Sequence, residues 1–158
     1  MRRLQANGTI IAYARSGTGP PIVLMHGAEA DHSMFATLVA QLEKRLTVIA
    51  CDQRASGDTC KSHEPYTLED TGDDAAALIE GLGFEKAHVY ATSLGRLSAQ
   101  SLAVRHPERV DRLVLAAAIR IGRTLVLGDV RARQCNPGPR VGRAGDLSVS
   151  GGGPTASN

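Results

Sequence analysis

An α/β fold with a mostly parallel sheet, covered by helices on both faces, is what three features of the 158-residue sequence predict. First, short continuous apolar runs occur at PIVLM (21–25) and LTVIAC (46–51), as strands buried on both faces require. Second, segments with helical spacing, each about a dozen residues long, lie between such runs, and parallel strands need crossovers of that length. Third, Asn7-Gly8 separates two strand-like runs, and both central positions of a tight hairpin turn need positive φ, so an antiparallel hairpin opens the chain.

Taken in order, RRLQA and the run after Gly8 form that hairpin, and GTGPPIVLM supplies turn residues and then a buried strand. HSMFATLVAQLEKR spaces Met34, Phe35, Leu38, Val39 and Leu42 at helical intervals, with Lys44 and Arg45 at the end where the helix dipole favours cations. LTVIAC is the next strand. TLEDTGDDAAALIEGLG has Thr67 as N-cap three residues before Asp70 and stops at Gly81 and Gly83, with its acids from Glu69 to Asp74 expected on a solvated face. KAHVYA reads as a strand, LGRLSAQSLAVRH as a helix ended by Pro107, and DRLVLAAA as a further strand. After about Ile119 the segment is rich in Arg, Gly, Pro and Ser and holds no periodicity. The expected organisation is a partial domain over 1–119 and a disordered tail over 120–158.

Composition narrows the function classes. The net charge of +2 arises in the tail, where six Arg face two Asp, whereas residues 1–119 carry 12 basic and 14 acidic residues. No aromatic residue accompanies the tail's arginines, so nucleic acid is not an expected partner. No apolar run reaches the length that crosses a bilayer, and no apolar stretch follows Arg2 and Arg3, so a membrane is not expected and the cytosol is. Cys51, Cys60 and Cys135 are an odd set without CxxC spacing, which suggests neither disulfides nor a metal.

The chemistry centres on Ser93. It stands between the strand HVYA and the helix LGRLSAQ, on a turn sharp enough to lift its hydroxyl out at the carboxyl edge of the sheet. Such a turn crowds the backbone and requires small residues two before and two after the serine, here Ala91 and Gly95. The amide of Leu94, at the N-terminus of the new helix, is placed to meet a negative oxygen. VLMHG (23–27), DQRASGDT (52–59), PYTLED (65–70), ATSLG (91–95) and RHPERVDRLVL (105–115) occur in the order and spacing of a known family. Over about residues 2–119 the chain resembles the α/β-hydrolase fold, near its esterase, lactonase and haloperoxidase-like members.

That resemblance implies Ser93 as nucleophile, with the amides of Ala28 and Leu94 as the oxyanion hole and His26, Gly27, Ala91 and Gly95 as the supporting motif. The implied substrate is a small carboxylic ester, lactone or thioester, and neither a cofactor nor a metal is implied. The sequence departs from the family where Ala91, Arg96 and Ala55 replace common glycines. The family's acid and histidine follow the serine, the histidine after the last strand, yet the last histidine here is His106 and the only later acids beyond β-like sequence are Asp129 and Asp146. Of the other histidines, His26 is expected to orient the oxyanion loop, His32 to open the first helix, His63 to lie in a loop and His88 in a strand. An impaired enzyme is therefore expected, the alternative being a non-catalytic, truncated or frame-shifted remnant of one. Asp52 and Arg54 are expected to brace loops. A sheet ending at DRLVLAA would expose its last strand, so self-association through that edge is also expected.

Overall fold

A computed structural model describes residues 1–59 and 65–116. The Asn7-Gly8 turn has φ of 43° and 73°, and it joins strands β1 (Arg2–Ala6) and β2 (Thr9–Ser16) with Ala6 opposite Thr9, so the two-residue hairpin forms as its sequence requires. The further strands are β3 (Pro21–Met25), β4 (Thr47–Cys51), β5 (Ala87–Thr92) and β6 (Val110–Ala116). They lie in the order β1-β2-β4-β3-β5-β6. β2 runs antiparallel to β4, and the β4-β3-β5-β6 block is parallel.

Alternate residues of the central strands feed two cores. Val23, Ile49 and Val89 share one row of the ladder and face α2 (Leu68–Gly81) and α3 (Gly95–Arg105), packing on Ala75, Leu78, Ile79, Ala99 and Leu102. Ile22, Leu24, Val48 and Ala50 face the other way, onto Phe35, Leu38, Val39 and Leu42. Phe35 also meets Tyr90 edge-on, ring centroids 6.0 Å apart. The continuous apolar runs of β3 and β4 are thus explained by burial on both faces.

Thr67 caps α2 as expected. Its hydroxyl accepts from the Asp70 amide while the Asp70 carboxylate accepts from the Thr67 amide. Gly83, at φ 82°, closes the helix, and the Phe84 amide reaches back to the Ile79 carbonyl. The first helix is shorter than its apolar spacing suggests. Asp31 caps a 3₁₀ turn over His32–Phe35, and α1 covers only Ala36–Leu42. Met34 is consequently exposed, and Lys44 and Arg45 lie past the helix end. The acids of α2 also differ from expectation, since Asp74 is buried. Among the described residues no helix is long and apolar enough to cross a membrane. The domain boundary expected near 119, the tail, Asp129, Asp146, His63, Cys60 and Cys135 lie outside the described residues.

Candidate functional site

Parallel pairing brings the carboxyl ends of β3, β4 and β5 to one edge of the sheet. The connection after β3 leads toward β4, on one side, and the chain after β5 proceeds to β6 on the other, so the crevice between β3 and β5 is the point where an open α/β sheet offers a site. Three segments meet there: His26-Gly27-Ala28, Asp52-Gln53-Arg54 and Ser93-Leu94-Gly95.

Ser93 has a left-handed backbone, φ 50°, between the end of β5 and the start of α3. For a residue with a Cβ this conformation carries about 1–2 kcal/mol of strain, and it persists because close packing fixes the turn. Ala91 is fully buried. A methyl on Gly95 would run into the carbonyl oxygens of His26 and Met25, so only glycine lets the helix start rest on the end of β3. A methyl on Gly27 would stand 3.0 Å from Ser93 Cβ and 3.4 Å from its Oγ, so the loop after β3 passes directly beside the serine. The first turn of α3 opens with the Arg96 amide donating to the Ser93 carbonyl and the Leu97 amide to the Leu94 carbonyl. The preceding amides, of Leu94 and Gly95, have no place in that ladder.

The loop carrying Gly27 is held by His26. Its imidazole is buried, Nδ1–H donates to the Gly27 carbonyl at 2.7 Å, and Nε2 accepts the Gln53 amide at 3.0 Å. The neutral ring with its proton on Nδ1 meets both contacts, and burial lowers the basicity of this imidazole below the ordinary histidine value. Asp52, also fully buried, accepts the His32 amide (2.7 Å) and His32 Nδ1–H (2.8 Å) on Oδ1, and the Asp58 amide (2.8 Å) on Oδ2. Thr59 donates to the Asp52 carbonyl and accepts the Ala12 amide. Arg54 binds Asp74 through Nε and a terminal nitrogen and also reaches the Asn7 carbonyl; the Asp74 bonds lead in raising its pKa further. Asp52 and Arg54 therefore brace loops, as their sequence context suggests.

The other described imidazoles lie away from Ser93's hydrogen bonds. His32 turns to Asp52, and His106 donates from Nε2 to Asp73 at 2.7 Å. His88 lies within β5 with Nδ1 3.0 Å from an Asp111 oxygen, without the angle of a hydrogen bond. Among the described residues, none of these imidazoles is hydrogen-bonded to the Ser93 hydroxyl. Arg96, in the first turn of α3, is half-buried with an unpartnered Nε. Cys51 is a buried free thiol whose pKa burial pushes up to about 12. Asp31, His32 and Asp52 bring one ligand-type atom each within 4.8 Å of one another, but the Asp52 oxygens are already taken by the amide and imidazole protons named above. Sequence reasoning passed over Gln53 and Thr59, since neither carries a local signal.

Comparison with known proteins gives the same placement. A family model described as the alpha/beta hydrolase fold matches residues 20–134. The chain is 31% identical over 113 residues to 2-(acetamidomethylene)succinate hydrolase of Mesorhizobium japonicum, covering 72% of this chain and 41% of that protein. It is 29% identical over 122 residues to 3-oxoadipate enol-lactonase 2 of Acinetobacter baylyi, covering 75% of this chain and 46% of the other. A thermophilic esterase from Thermogutta terrifontis superposes with a TM-score of 0.70 at 28% identity, over 73% of this chain and 45% of the esterase. The chain thus spans less than half the length of these relatives. With the strand order, the turn at Ser93 and a family match over most of its length all in agreement, the chain belongs to the alpha/beta hydrolase fold family.

Proposed function

We propose that the chain carries the nucleophile and oxyanion arm of a serine hydrolase acting on a small carboxylic ester, lactone or thioester. The observation that carries this reading is the left-handed Ser93, with Gly27 against its Cβ and Gly95 seated on the carbonyls that end β3. In that arrangement Ser93 Oγ attacks the substrate carbonyl carbon and its proton passes to a base. The oxygen that becomes negative accepts hydrogen bonds from the Ala28 and Leu94 amides, and collapse expels the alcohol or thiol, which takes up a proton. Water then hydrolyses the acyl-serine. A succinate-derivative hydrolase, an enol-lactonase and an esterase among its relatives support a small carboxylic substrate. Within the same reading the site needs no cofactor or metal, its partner is the small molecule, and its setting is the cytosol.

The base is the weak point. No histidine follows His106 in the 158 residues, and removing the base of comparable triads costs on the order of 10⁴-fold or more in rate. We therefore expect only trace turnover from this polypeptide. The second reading, a non-catalytic remnant, is favoured by the engagement of His26, His32 and His106 with other groups. A fluorophosphonate probe followed by peptide mass spectrometry separates the two. Phosphonylation at Ser93, lost in Ser93→Ala, supports the hydrolase; no labelling above that of Ser93→Ala supports the remnant.

A further inference from the structure

Gln53 holds the oxyanion loop from two sides. Its backbone amide donates to His26 Nε2 at 3.0 Å, and its side-chain amide donates to the His26 carbonyl at 2.6 Å. That carbonyl belongs to the peptide unit whose nitrogen is Gly27, the residue in contact with Ser93. A peptide unit next to glycine meets little resistance to rotation, because no Cβ opposes it. Something outside the loop has to fix its orientation. His26 Nδ1–H fixes the following carbonyl, of Gly27, at 2.7 Å, so the imidazole and the Gln53 side chain together hold two successive carbonyls.

We propose that Gln53 is a positioning residue which, through the His26 carbonyl, sets the direction of the Ala28 amide relative to Ser93. The proposal rests on the hydrolase reading for its consequence and on the two hydrogen bonds for its geometry. Without the side-chain amide, the His26–Gly27 peptide unit loses the donor that holds it, and the following unit, which carries the Ala28 amide, is left on the His26 Nδ1–H contact alone and gains orientations in which that amide misses the oxyanion. A donor in an oxyanion hole is useful only when it is already aimed. Gln53 thus acts from the loop after β4 upon the loop after β3.

The test uses the 158-residue chain with Gln53→Ala and Gln53→Glu, each checked for folding by circular dichroism. Gln53→Ala is expected to lower the rate constant for fluorophosphonate labelling of Ser93 by about 10-fold or more. Gln53→Glu presents a carboxylate to a carbonyl at neutral pH, and regains a donor only when protonated. Its labelling rate relative to Gln53→Ala is therefore expected to rise as pH falls from 7 toward 5. His26 faces Asp52, Asp31 and His32, and its titration is followed in each variant by its own imidazole resonance, which separates it from that of the introduced carboxyl. A purely structural role shifts the melting temperature and leaves the ratio flat with pH. Labelling at the wild-type rate in both variants, or a flat ratio, overturns the proposal. Should the wild type fail to label, the hydrolase reading fails on its own. Gln53 is then judged by the Gly27 and Ala28 amide resonances, which are expected to shift or broaden in Gln53→Ala and Gln53→Glu. Unchanged resonances overturn it.

Discussion

At Ser93 the backbone is strained, and Gly95, two residues on, is a glycine for a different reason from Gly83 at the end of α2. Gly83, at φ 82°, is glycine because of its own conformation, with nothing near the position of an added Cβ. Gly95 has an ordinary backbone, yet its missing Cβ is the space that the Met25 and His26 carbonyls occupy. The two substitutions should therefore separate conformational cost from steric cost. Gly83→Ala is expected to destabilise by about 1 kcal/mol, and Gly95→Ala by at least about 2 kcal/mol, because backbone atoms on both sides must move. Urea unfolding midpoints compare them directly, and equal losses would mean that α3 does not rest on β3. Ala91, Ser93 and Gly95 were legible in the sequence because they act within one turn of chain. The Gln53–His26 and Asp52–His32 contacts join residues 27 and 20 positions apart, and neither pair has a local pattern that announces it. Ala55 takes φ 63°, which explains why a glycine is common at that place in the resembled motif.

Between elements, the α2–α3 contact shows most plainly what periodicity leaves out. The cap at Thr67, the glycine stop and the strand alternation could be read from neighbouring residues, whereas the partners of the α2 acids could not. Asp74 turns inward to Arg54, and Asp73 binds Arg105 through both oxygens at 2.7 and 2.8 Å and also accepts from His106. Gly72 directly precedes both acids, and a methyl there would come within 2.6 Å of Ser101 Oγ, so the two helices approach closely enough for these pairs to form. The Arg105 hydrogen bonds, then that of His106, hold the Asp73 carboxyl at about 2, below the ordinary range. A carboxyl whose pKa is lowered by folding contributes stability that is present above the unfolded value, about 3.9, and lost as pH falls toward the folded one. The wild type should accordingly exceed Asp73→Asn in stability at pH 6, with the gap closing between about pH 4 and pH 2. Urea midpoints at pH 6, 4 and 2.5 read this window, and a gap that stays constant would deny the clamp any part in acid stability.

Across the whole molecule, the six described strands leave the two edges of the sheet unlike each other. β1 is short and carries Arg2 and Arg3 on exposed positions, charges of the kind that discourage a further strand from pairing. β6 pairs with β5 alone among the described residues, and it presents Leu113 and Val114 at 36% and 52% exposure. Register places Leu113 beside Val89, on the α2–α3 face, and Val114 beside Tyr90, on the α1 face, so both faces of this edge are apolar. Among the described residues the outer backbone donors and acceptors of β6 have no strand partner, and such a row with apolar side chains on either side favours pairing with another strand. For the 158-residue chain we expect reversible association through β6, seen as a sedimentation coefficient that rises with concentration. Val114→Lys should lower the mean mass at a given concentration, since a lysine there places charge in the contact and stays solvated in the monomer. Arg3→Lys on the opposite edge, which keeps the charge there, should leave the mass unchanged. A monomer at every concentration, or equal response to both substitutions, would remove β6 as the contact.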